Sequence, residues 1–203
     1  MPAYRTLSLD GLLEALSSAS PVPGGGSAAA LAGATGVSLL LMVARIPRTR
    51  TGIPIDESGL GAAAARLLPL REAPTALLDR DVVAYEAVLA ASRPRSGSAP
   101  GGPALQPALL EATATQMDVL RACRDALREA LPVTAHGVRS ALADMQVAIG
   151  LLQASAHGAS VTVEANLALV DDGAATRTLV EERSVLVAEI GELADRGRGQ
   201  LSS

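Results

Sequence analysis

Two kinds of residue in this chain have the chemistry of a reactive site: carboxylates set among apolar helical residues, and glycines leading into a helix. Asp81 lies in Leu78-Asp79-Arg80-Asp81-Val82-Val83-Ala84-Tyr85. A spacing of four puts Asp81 and Tyr85 on one helix face, while Asp79 points elsewhere, toward the surface. Asp144 lies in Ser140-Ala141-Leu142-Ala143-Asp144-Met145-Gln146-Val147, with a long apolar continuation. An unpaired buried carboxylate is costly. Asp81 therefore sits either on a solvated face near Arg80 or in a site. Asp144 is either paired with an arginine or held in a pocket that alters its protonation. Asn166 and Glu164 interrupt the apolar run Val161 to Val170; the Asn166 amide either orients a substrate or satisfies backbone groups.

The glycines are in Pro21-Val22-Pro23-Gly24-Gly25-Gly26-Ser27-Ala28-Ala29-Ala30-Leu31-Ala32-Gly33. Two prolines stop one helix, the glycines admit backbone angles closed to other residues, and Ser27 opens a small-residue helix. Free N–H donors at such a helix head suit an anionic or electron-rich group. The alternative is a tight turn that lets helices pack. The run has neither GxGxxG spacing after a strand nor a Walker lysine, which argues against a nucleotide loop.

Other chemistries are poorly supplied. Every basic residue is arginine, so Schiff-base and lysine-nucleophile mechanisms are excluded. No His, Cys and carboxylate set has metal-ligand spacing, so no metal is expected. His136 and His157 precede glycines at expected helix ends, where a C-terminal cap is the simpler role. A net charge of −4 with only Tyr4 and Tyr85 as aromatics argues against nucleic acid as a partner. The lone Cys123 cannot close an intrachain disulfide, which fits a reducing cytoplasm.

The elements that must position these residues are helices. Of 203 residues, 49% are hydrophobic, mostly Ala, Leu and Val, and Phe and Trp are absent. That composition predicts an all-α bundle of six or seven helices in one domain, 1–203. The expected helices are a short amphipathic one before Pro21, a second over 27–46, and a third over 57–91, kinked near Pro69 and Pro74. A fourth spans about 107–131, apolar helical sequence fills 137–169, and a last helix covers 174–194. A flexible loop is expected at about 92–103 and a ragged tail from about 196. The uncharged run Ala28 to Ala44 falls just short of a membrane span, and a core helix is expected there rather than a membrane contact.

Taken together, PVPGGGSAAALAG followed by Leu41-Met42-Val43-Ala44 resembles the opening of the formiminotetrahydrofolate cyclodeaminase and methenyltetrahydrofolate cyclohydrolase family. Asp81 to Tyr85 resembles the family's Asp-x-x-Ala-Phe/Tyr element. Ser140 to Asp144 resembles its serine-aspartate helix, and Val163 to Leu167 its Asn-Val-x-Ile-Asn-Leu run. The resemblance spans nearly the whole chain. It implies an all-α homodimer, a tetrahydrofolate derivative as small-molecule substrate, and no separate cofactor. It also implies that Asp81 and Asp144 act as acid and base at a one-carbon unit. Gly24, Gly25, Gly26, Ser27, Tyr85 and Asn166 would hold the substrate, with Arg45 standing for a family lysine. The chain departs from the pattern at Arg45-Ile46-Pro47-Arg48-Thr49-Arg50-Thr51-Gly52, where the family carries a Gly-Lys-Lys-like stretch. It departs again at Gln116-Met117-Asp118, where the family carries Val-Pro-Leu. The alternatives are a non-folate cyclase or deaminase and a non-catalytic helical dimer.

Overall fold

The computed structural model describes residues 3–93, 103–171 and 173–202. Six α-helices carry the fold: α1 (Leu9–Ser17), α2 (Gly25–Ala44), α3 (Pro54–Ser92), α4 (Leu105–His136), α5 (Leu142–Leu167) and α6 (Ala174–Leu201). Short 3-10 turns at Tyr4–Thr6 and Arg139–Ala141 complete the described elements. Local chemistry sets several of the ends. The Ser8 hydroxyl accepts from the Gly11 N–H at 3.1 Å, and Pro54 occupies the first turn of α3, where its missing N–H costs nothing.

α2 is long and apolar enough to cross a membrane, but its apolar side is packed inside the bundle. It lies between α3 and α5, and α4 and α6 close the core around Leu40, Met117, Leu120, Leu127, Met145, Ile149, Leu152 and Leu186. α2 and α5 run antiparallel in very close contact. A Cβ on Gly36 would stand 2.9 Å from the Ala148 carbonyl oxygen, one on Gly33 2.8 Å from Ser155 Oγ, and one on Gly158 3.1 Å from the Ala29 Cβ. This register sets the head of α2 beside the C-terminal part of α5.

Packing overrides several local expectations. α4 continues past Pro132 to His136 because Val133 and Thr134 are fully buried, whereas α3 holds Pro69 and Pro74 within the single helical region expected there. The ragged tail expected from about 196 is corrected: α6 extends to Leu201. Gly197 packs against Ile149 and Leu201 is buried, so the bundle rewards the extra turns. Most of the loop expected at 92–103 lies outside the described residues. The glycine reading is corrected too. Among the described residues only Gly52 has a positive φ, at 76°, whereas Gly24 is extended and Gly25 and Gly26 are helical.

An ion-pair relay ties the site-bearing helix to its neighbours. Arg80 of α3 pairs with Glu111 and Asp118 of α4, and Arg121 of α4 pairs with Asp118 and with Glu182 of α6.

At the far end, the last residue of α4 is more than a cap. His136 Nδ1 meets Asp56 Oδ1 at 2.7 Å, and Asp56 Oδ2 accepts from the Thr51 hydroxyl at 2.6 Å and the Thr51 N–H at 2.9 Å. Asp56 is 4% exposed. The Thr51 hydrogen bonds, then His136, lower its pKa from 3.8 to about 2. The folded form thus holds this proton less tightly than the unfolded chain does. Its contribution to stability is complete above pH 3.8 and is lost as pH falls toward about 2. Acid denaturation monitored by circular dichroism should therefore steepen across that window. Asp56→Asn should flatten it while lowering stability at neutral pH.

Candidate active site

The head of α2 forms one wall of a cleft. The Val22–Pro23 peptide is cis, Val22 and Pro23 are buried, and Gly24 caps the helix with its carbonyl accepting from the Ala28 N–H at 3.0 Å. The N–H groups of the first turn have no acceptor within the helix, and the turn carries no acidic side chain. The helix dipole puts partial positive charge at this wall of the cleft, which favours electron-rich groups. Pro21, Val22, Gly24, Gly25, Gly26, Asp81, Tyr85 and Thr162 line a volume of about 230 Å³.

Asp81 comes from α3, and its carboxylate reaches across to the first turn of α2. The Ser27 hydroxyl donates to Oδ2 at 2.7 Å, and Gln116 Nε2, from α4, donates to Oδ1 at 2.6 Å. Both donors are neutral. Arg80, the nearest cation in sequence, is turned to Glu111 and Asp118. The solvated-face alternative for Asp81 is therefore replaced by a partly buried carboxylate facing a cleft. Asp79 is separate, paired with Arg5 at 3.2 Å.

Gly26 makes this approach possible. A Cβ there would lie 2.3 Å from both Asp81 Oδ1 and Gln116 Nε2, and 2.8 Å from Asp81 Cγ. Glycine is needed at this position for room, not for an unusual φ. Gly25 meets nothing within 4 Å and faces open space.

The expected site residues divide by position. Gly24, Gly25, Gly26, Asp81 and Tyr85 come together, with Tyr85 one turn beyond Asp81 and 39% exposed. Ser27 is 1% exposed and gives its hydroxyl to Asp81, so it grips the carboxylate instead of facing a ligand. Asn166 is half-buried one helical turn beyond Thr162, on the same face of α5.

Asp144 and Arg45 do not join this cleft within one chain. Asp144 is in the first turn of α5, about 27 Å along the axis from Thr162. Arg45 caps the C-terminus of α2, about 30 Å from Gly25, and is exposed. Both stand at the opposite end of the antiparallel pair.

Two contributors were missed, Gln116 and Thr162. Gln116 carried a signal, as a polar side chain in the apolar stretch around Met117. Thr162 carried none, because only the α2–α5 register brings it to the cleft. Burial pushes the Cys123 thiol up to about 11 and leaves no exposed thiolate for chemistry. Among the described residues, no three His, Cys, Asp or Glu side chains gather as a metal-holding group.

A family model for formiminotransferase-cyclodeaminase matches residues 8–185. The chain is 30% identical over 192 residues to a methenyltetrahydrofolate cyclohydrolase from Methylorubrum extorquens, covering 93% of this chain and 92% of that one. It is also similar to the crystal structure of formiminotetrahydrofolate cyclodeaminase from Thermotoga maritima, with a TM-score of 0.88 and 27% identity over 97% of this chain and 96% of that chain. The chain belongs to the formiminotransferase-cyclodeaminase family, as an enzyme of the cyclodeaminase/cyclohydrolase class.

Proposed function

We propose that the cleft acts on the one-carbon unit of a tetrahydrofolate, making or breaking a C–N bond with Asp81 as the group that moves the proton. The observation that carries this reading is the Asp81 carboxylate, gripped on both oxygens at the edge of a cleft whose other wall is a helix head. In the hydrolytic direction, water adds to the methenyl carbon and its proton passes to Asp81. The tetrahedral carbon then collapses to the formyl group as that proton is delivered to the departing folate nitrogen, and the remaining hydroxyl proton passes to the freed carboxylate and on to solvent, the one proton the hydrolysis releases. In the cyclodeaminating direction, a folate nitrogen adds to the formimino carbon and ammonia leaves, which again requires one proton removed and one supplied. The free N–H groups of Gly25 and Gly26 would face electron-rich substrate atoms, and Tyr85 offers the cleft its one aromatic face.

The same reading includes a second copy of the chain. The family resemblance assigns Asp144 to the chemistry, yet Asp144 stands at the far end of α5. A two-fold related subunit packed across antiparallel α5 helices exchanges the two ends and brings the partner's Asp144 beside Asp81.

Incubation with methenyltetrahydrofolate should abolish its near-ultraviolet absorbance in proportion to protein concentration, or formiminotetrahydrofolate should release ammonia. If neither occurs and calorimetry detects no folate binding, the folate reading fails. The arginine run at Arg45 to Arg50 would then favour a non-folate substrate.

A further inference from the structure

Gln116 has no place in the chemistry so far, and it is an expensive residue to bury. Its side chain is 0% exposed, in a stretch of α4 that includes buried Thr113, Thr115, Met117, Val119 and Leu120. Nε2 donates to Asp81 Oδ1 at 2.6 Å, whereas Oε1 is buried and finds no hydrogen-bond partner among the described residues. A buried amide oxygen without a donor destabilises the fold, and leucine or methionine would fill the space without that cost. The amide is therefore hard to explain as core packing.

The free oxygen also means that Asp81 alone sets the orientation of the amide. Facing an ionised carboxylate, the NH₂ edge is the correct partner. Facing a protonated one, the oxygen edge is, and a half-turn about the terminal torsion exchanges them. Among the described residues Oε1 has no hydrogen bond that this turn would break. Ser27 offers the same adaptability on Oδ2, since a hydroxyl donates or accepts by rotation.

We infer that Gln116 is a positioning residue for Asp81, aiming the ionised carboxylate and then accepting a hydrogen bond from it once it carries the proton. This rests on the proposed role of Asp81 and extends it to a residue outside the cleft. The donor belongs to this chain's own sequence, where the family resemblance expects Val-Pro-Leu.

The test compares Gln116→Leu, Gln116→Met and Gln116→Glu with Asp81→Asn, using methenyltetrahydrofolate. The leucine and methionine variants should melt at or above the wild-type temperature. Their kcat should fall about tenfold to thirtyfold with KM within about twofold, as for loss of an interaction that matters beyond substrate binding. Gln116→Glu should work only where the two carboxylates share a proton, and lose activity at alkaline pH where wild type keeps it. Wild-type kcat and KM in the leucine or methionine variant, beside an inactive Asp81→Asn, would overturn this inference alone. If both of those variants fail to fold, a Gln116→Glu profile matching wild type overturns it equally. Full activity in Asp81→Asn would instead overturn the reading of the site.

Discussion

Asp81→Asn should lower kcat by about 10³-fold with little change in melting temperature, within the usual effect of removing a general acid–base group. The fold should tolerate the change because both donors to the carboxylate can adapt. The Ser27 hydroxyl can rotate to accept, and the Gln116 amide can turn its oxygen toward the new NH₂. What disappears is the group that takes and returns the proton. Asp144→Asn should also reduce turnover, although it lies about 27 Å along α5 from the cleft. The pair gives a sharper result together. Co-expressed in equal amounts, the two inactive variants should recover about a quarter of wild-type activity if each site takes one carboxylate from each subunit. Half of the dimers are then mixed, and each mixed dimer has one site with both carboxylates. No recovery would confine the site to one chain and leave Asp144 outside it.

Gly26→Ala is the second large effect expected. The new methyl carbon would be placed 2.3 Å from Asp81 Oδ1 and Gln116 Nε2, far inside contact distance. α2 has little freedom to retreat, because Gly33 and Gly36 already hold it against α5. The carboxylate and the amide must therefore move and lose their hydrogen bond. The result should be a loss of about 1–3 kcal/mol in stability, as for overpacking elsewhere. Turnover should fall about 10²-fold, as expected when a reacting group is displaced by an ångström. Gly25→Ala is the control for the fold: nothing lies within 4 Å of its Cβ position, so its melting temperature should stay near wild type. Equal melting temperatures and equal turnover for Gly26→Ala and wild type would contradict the packing argument.

The parts of this site legible in the sequence were those that local rules govern. Two prolines and three glycines before a small-residue helix announced the head of α2. The spacing of Asp81 and Tyr85 put both on one face of α3, and both line the cleft. Helix propensity and apolar periodicity were enough for the all-α class, because nearly all the apolar mass is Ala, Leu and Val. The rest depended on contacts between helices distant in sequence. Ser27 reads as a ligand-facing helix opener until α3 delivers a carboxylate to its hydroxyl. Gln116 becomes a partner of Asp81 only through α4 packing against α3, and Thr162 reaches the cleft only through its register with α2. Asp144 matched its motif, but helix length, at about 1.5 Å per residue, carries it to the other end of the bundle. Of the two roles the glycines suggest, permissive torsions and close packing, Gly26 serves the second: the chain needs space there and not an unusual torsion.

The most direct test is a crystal structure of the protein with a bound, slowly reacting formyltetrahydrofolate. The account predicts the one-carbon unit within hydrogen-bond reach of the Asp81 carboxylate, its electron-rich edge toward the N–H groups of Gly25 and Gly26, and the partner's Asp144 on the opposite side. A folate bound at the other end of the bundle, near Arg45 and away from Asp81, would contradict it.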